Sequence, residues 1–144
     1  MPHQNPPEQD LREILTSARS IAVVGASSNP ERASHGIFAK LLRTGYRVIP
    51  VNPQESSVLG QPAFASLAEV TGEIDIVNVF RRAEFTPEIA DAAVAAGAKV
   101  LWLQSGIWND DAARRAQAGG LTVVMDDCIG VALSRLRVPN QTQA

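Results

Sequence analysis

Ile21-Ala22-Val23-Val24-Gly25-Ala26-Ser27-Ser28-Asn29-Pro30-Glu31-Arg32-Ala33-Ser34 decides the fold. Its first four residues form a continuous apolar run that a glycine stops. A run this short, rich in β-branched residues, reads as a strand buried on both faces. A polar loop follows. Ile37, Phe38, Leu41 and Leu42 then fall at helical spacing, with Ser34 as the expected N-cap and Gly45 as the stop. Strand, glycine-bearing loop and helix in that order are the first half of a parallel βαβ unit.

The same alternation continues in both directions. Upstream, Leu11, Ile14, Leu15 and Ala18 predict a short amphipathic helix behind a proline-rich, polar and loose head. Downstream, further strands are expected at 46–51, 74–80, 100–103 and 121–125. Helices are expected at 66–70, from Thr86-Pro87 to Gly97, at 109–118 and at 128–136. Thr86 is read as the N-cap of its helix, with Pro87 in the first helical position. Asp126 or Asp127 is read as the cap of the last helix. Five apolar strands alternating with helices predict an α/β fold, a Rossmann-like doubly wound five-stranded parallel sheet in one domain. The expected order is 3-2-1-4-5. Residues 1–18 are read as tail and short helix, 19–138 as the domain, and 139–144 as a frayed tail.

Composition excludes several classes of function. The chain has 144 residues, one cysteine (Cys128) and two histidines (His3 and His35), so neither a disulfide within the chain nor a cysteine metal cluster is expected. A formal net charge of −2 gives no reason to expect a nucleic acid or an anionic membrane as partner. No signal-peptide core and no run long enough to span a bilayer is present, which points to the cytoplasm.

In a doubly wound sheet, ligands bind beyond the carboxyl ends of the strands, at the reversal point beside the first strand. The candidate residues therefore follow the strands. Gly25 permits a sharp turn, Ala26, Ser27 and Ser28 offer amides and hydroxyls, and Arg32 can fork onto a phosphate. Ser34 and His35 open the helix, where amide donors are free. The plainer reading of this loop is a connection whose serines satisfy the backbone. Val51, Asn52 and Pro53 end the second strand. Phe80, Arg81 and Arg82 end the third, the arginines either meeting phosphate or standing in solvent beside Glu84. Gln104, Ser105 and Gly106 end the fourth. Trp108 either covers a ligand or packs, and Trp102 is read as core.

The loop is not a G-x-G-x-x-G fingerprint, since Ser27 stands at the second glycine position. The second strand does not end in the carboxylate that holds the ribose of NAD; Glu55 comes only later. Cys128 is either a small buried hydrophobe or a thiol near a helix start. An NAD(P)-binding enzyme and a thiol-redox protein acting through Cys128 thus stand as alternatives to a binding module. A subunit that recruits a partner enzyme is a third.

The segments 21–30, with Arg32 and Ser34, and Gly45-Tyr46-Arg47-Val48-Ile49-Pro50-Val51-Asn52-Pro53 resemble the small bacterial CoA-binding proteins. These are single-domain relatives of the nucleotide-binding part of the succinyl-CoA synthetase alpha subunit. Val79-Phe80-Arg81-Arg82, Trp102-Leu103-Gln104-Ser105-Gly106 and Met125-Asp126-x-Cys128 extend the likeness, which covers residues 19–136. The resemblance implies coenzyme A or an acyl-CoA as ligand. It places the pyrophosphate on 25–34 and the adenosine near Val51-Asn52-Pro53 and Phe80-Arg81. It brings no catalytic residue. The family often carries a basic residue after the Val-Asn-Pro turn, where this chain has Gln54. The implied partners are the small-molecule nucleotide and, for the assembly, either a second copy of the chain or an acyl-CoA enzyme.

Overall fold

The computed structural model describes residues 3–141. α1 (Glu8–Ser17) leads into β1 (Ser20–Val24), α2 (Ala33–Thr44) and β2 (Arg47–Val51). A small antiparallel pair follows, β3 (Ser57–Val58) and β4 (Gln61–Pro62). β5 (Ile76–Val79), α3 (Thr86–Ala95), β6 (Val100–Leu103), α4 (Asp110–Ala118), β7 (Thr122–Val124) and α5 (Ile129–Arg135) complete the fold. The main sheet has five parallel strands in the order β2-β1-β5-β6-β7. All five residues of β1 and all four of β5 and of β6 are buried, as expected of mainly apolar strands covered on both faces; Ser20 and Asn78 are the buried polar exceptions.

Helices cover both faces. Ala22, Val77, Leu101 and Val123 pack under α3 and α4 with Ala90, Ala93, Ala113 and Ala116. Ile21, Val23, Ile76 and Trp102 pack on the other face with Leu15 of α1, Phe38 and Leu41 of α2 and Ile129 of α5. Trp102 is core, as expected, and its indole N–H reaches the Asp127 carbonyl at 2.7 Å.

The α/β class and the parallel sheet are as expected, but one strand takes another place. The 74–80 segment was expected beyond β2; it lies on the other side of β1, where Val23 and Asn78 are in register. The third place, outside β2, is held by Phe64 alone through a one-residue parallel bridge to Val51. With Phe64 counted third, the sheet runs 3-2-1-4-5-6. Pro50 explains why that strand is vestigial. Its carbonyl accepts from the Phe64 amide at 3.0 Å on the outer side. N–H and C=O of a strand residue face the same way, so the donor that proline lacks is an outer one.

Several caps also differ from expectation. α2 starts one residue before Ser34, and its cap residue, Arg32, makes no side-chain cap bond. Thr86 lies inside α3, its hydroxyl donating to the Ala83 carbonyl at 2.6 Å. Neither carboxylate caps α5. Asp126 takes the Gly106 amide at 2.6 Å, and Asp127 pairs with Arg135 at 3.0 Å.

The chain ends are tied down where they are described. Asn5 donates to the Met125 carbonyl at 2.7 Å and accepts from its amide at 2.8 Å, as a neighbouring strand would. Glu8 joins Arg135 at 3.0 Å, so the head is fastened from residue 3 onward. Asn140 donates to the Arg43 carbonyl at 2.8 Å, and residues 142–144 lie outside the described part.

Candidate functional site

Two cavities meet at the carboxyl end of β1. The first, a basin of about 600 Å³, is lined by Gly25, Ser27, Arg32, Ala33, Ser34, Asn52, Phe80, Arg81, Arg82 and Phe85. The second, a slot of about 510 Å³, has apolar walls from Val24, Val51, Pro53, Ala65, Leu67, Phe85, Ile89 and Ala92, with Gln54, Ser66 and Glu88 among its polar groups. Gly25, Asn52, Arg81 and Phe85 line both, so the two form one continuous cleft.

Gly25 shapes the junction. Its φ is +90°, a region that side chains disfavour, and a Cβ there would stand 3.3 Å from the Cβ and carbonyl oxygen of Phe80. The glycine thus lets β1 turn while the end of β5 comes close. Its amide remains tied to the Val51 carbonyl at 2.9 Å.

The loop from 26 to 32 is organised by short-range bonds. The Ser27 hydroxyl accepts from the Asn29 amide at 3.1 Å, and the Asn29 side chain accepts from the Glu31 amide at 3.0 Å. Two bonds stitch the loop to the turn after β2. Asn52 Nδ2 donates to the Ala26 carbonyl at 2.8 Å, and the Ser28 amide donates to Glu55 at 2.9 Å. That amide, with the Ser28 side chain, holds the Glu55 carboxyl below its ordinary pKa. The amides of Ser27, Ala33 and Ser34 make no hydrogen bond among the described residues, and all three residues line the basin. The N-terminal end of α2 therefore offers free donors and a positive dipole end.

The cationic side comes from Arg32, Arg81 and Arg82. Arg81 stacks its guanidinium 4.6 Å above the Phe85 ring. The Arg82 side chain is 83% exposed and stands 3.9 Å from Glu84, a contact too open to neutralise it strongly. Arg32 pairs with no carboxylate among the described residues.

Of the expected residues, Gly25, Ser27, Arg32, Ser34, Val51, Asn52, Pro53, Phe80, Arg81 and Arg82 come together around this cleft. The others serve elsewhere. Ala26 is buried, the Ser28 amide is held by Glu55, and His35 lines neither cavity. Gln104 is buried and takes the Asn78 side chain at 3.0 Å and the Ile129 amide at 2.9 Å through one oxygen, which ties β5 and β6 to the start of α5. Ser105 is exposed, and Gly106 is held by Asp126. Trp108 lies away from the cleft, 5.6 Å from the His3 ring. Cys128 is half-buried at the start of α5.

Sequence reasoning missed Phe85, Ile89 and Ala92 on one wall and Ala65 to Leu67 on the other. The α3 residues carry a signal, since the first turn of a helix after a parallel strand faces the same edge as the loop before it. The 65–67 segment carries none, because its place depends on the Phe64 bridge.

Comparison with known proteins agrees with this arrangement. Residues 19–134 match the CoA binding domain family, and the chain belongs to it. It is 45% identical over 129 residues to the uncharacterized protein YneT of Bacillus subtilis, covering 90% of this chain and 96% of that one. The alpha subunit of ADP-forming acetate–CoA ligase II of Pyrococcus furiosus is 27% identical over 132 residues; the match covers 84% of this chain and 29% of that subunit. This chain thus spans under a third of the ligase subunit. Among solved structures, a hypothetical protein from Pyrococcus horikoshii superposes with a TM-score of 0.89 at 36% identity, covering 95% of this chain and 99% of that one.

Proposed function

We propose that the protein binds coenzyme A or an acyl-CoA in the cleft beside β1, as a binding module without catalysis of its own. The observation that carries this reading is the join of a basin ringed by Arg32, Arg81 and Arg82 to an apolar slot of about 510 Å³. A nucleotide has the matching halves: an anionic pyrophosphate and a flat base. The free amides at the start of α2 and the three guanidinium groups suit the pyrophosphate. The slot between Val51, Leu67 and Ile89 suits the adenine. Membership of the CoA binding domain family and the likeness to an acetate–CoA ligase subunit support CoA as the nucleotide.

No histidine or cysteine lines either cavity among the described residues. Native mass spectrometry of the purified protein tests the reading. An added mass of one CoA per chain is expected when CoA is supplied. A mass of NAD(P), with none of CoA, overturns it.

A further inference from the structure

Glu55 lies outside both cavities, yet its carboxylate takes the Ser28 amide at 2.9 Å across the gap between two loops. Three facts give this bond a purpose. The Ser28 residue lines neither cavity, and its amide is met from outside its own loop, by Glu55. The turn bearing Glu55 is itself fixed, since Asn52 accepts from the Gln54 amide at 2.8 Å and the Glu55 amide donates to the Asn52 carbonyl at 3.2 Å. Asn52 makes the second stitch, to the Ala26 carbonyl. The loop 26–32 is thus held by the β2 turn, and Ser27, Ala33 and Ser34, whose amides are free among the described residues, line the basin.

We infer that Glu55 is a positioning residue of the candidate site: its carboxylate clamps the Ser28 amide so that the donors at Ser27, Ala33 and Ser34 stay converged on one anion. This inference rests on the nucleotide reading above. A charged acceptor suits the task, because a charge-assisted bond to an amide is stronger than a neutral one. The Glu55 carboxyl is ionised at neutral pH in any case, and the Ser28 contacts lower its pKa further. Glu55 lines neither cavity and its carboxylate is open to solvent, which screens its charge.

The test compares wild type, Glu55→Gln and Glu55→Ala by calorimetric titration with CoA, with Ser28 amide hydrogen exchange measured on each. Glu55→Gln keeps a neutral acceptor oxygen and is expected to lose less binding than Glu55→Ala. Glu55→Ala is expected to weaken binding about three- to tenfold, the scale of a lost preorganising contact, while Ser28 exchange quickens. Unchanged binding in Glu55→Ala with faster exchange overturns the positioning role and leaves the nucleotide reading standing. Tighter binding in both variants also overturns it, making Glu55 a competitor of the ligand. Absence of CoA binding in wild type and in both variants overturns the nucleotide reading, and the positioning role with it.

Discussion

Arg32 and Asp75 mark two different uses of charge. Arg32 stands at the entry to α2, pairs with no carboxylate among the described residues, and lines the basin. Replacing it with alanine is expected to weaken CoA binding by about 1.5–3 kcal/mol, the value of a hydrogen bond to a charged group, measured by titration calorimetry. Unchanged affinity would remove Arg32 from the site. Asp75 lies at the opposite end of the sheet, where it takes the amides of Arg19 at 2.7 Å and Ser20 at 3.1 Å and pairs with Lys99 at 3.2 Å. Burial works to raise its pKa, but those amides and the Lys99 ammonium outweigh it, so the carboxyl is held below its ordinary 3.8. A depressed pKa adds stability above the unfolded value and loses it as pH falls through the folded one. Asp75→Asn is therefore expected to cost about 1–3 kcal/mol at pH 7. The gap should narrow below the ordinary carboxyl value of 3.8. Denaturant melts at neutral and acid pH check this, and a gap that does not change with pH would contradict it.

At the scale of elements, the strands and helices were legible because each depends on local pattern. β6 is an unbroken apolar run, and α4 opens on Asn109, whose side chain accepts from the Ala112 amide at 2.9 Å as an N-cap should. The neighbours of a strand depend on something else. Nothing in the apolar run of β5 says which side of β1 it will take, and the one clue, Pro50, acts by what it fails to donate. The β3–β4 hairpin turns through Leu59 and Gly60, both at positive φ, and only the glycine announces it. Gly25 is the element-scale position with the sharpest consequence. Gly25→Ala must hold a side chain at φ +90° and press on Phe80 at 3.3 Å. A loss of about 1–3 kcal/mol is expected, together with weaker ligand binding, because the same shift displaces the wall shared by both cavities. Denaturant midpoints and calorimetry check the two parts separately. Wild-type stability in the variant would show that the turn does not need glycine.

The whole molecule divides its labour between the two ends of its sheet. At one end Asp75 takes the amides of Arg19 and Ser20 and pairs with Lys99. The other is open beside β1, where two loops and the starts of α2 and α3 meet. Ten of the sixteen residues expected at the site lie around that cleft; the other six line neither cavity. Gln104 shows why they were not separable beforehand, since a buried amide binding Asn78 and Ile129 reads in sequence like one awaiting a ligand. The central claim concerns the cleft as a whole, that its basin and slot together hold coenzyme A. Isothermal titration of the full chain with CoA, ADP and NAD(P) tests it most directly. The account predicts saturable one-site heat with CoA, weaker heat with ADP, and weaker binding of both in Arg32→Ala. No heat with CoA at high micromolar concentration, alongside clear binding of NAD(P), would contradict it.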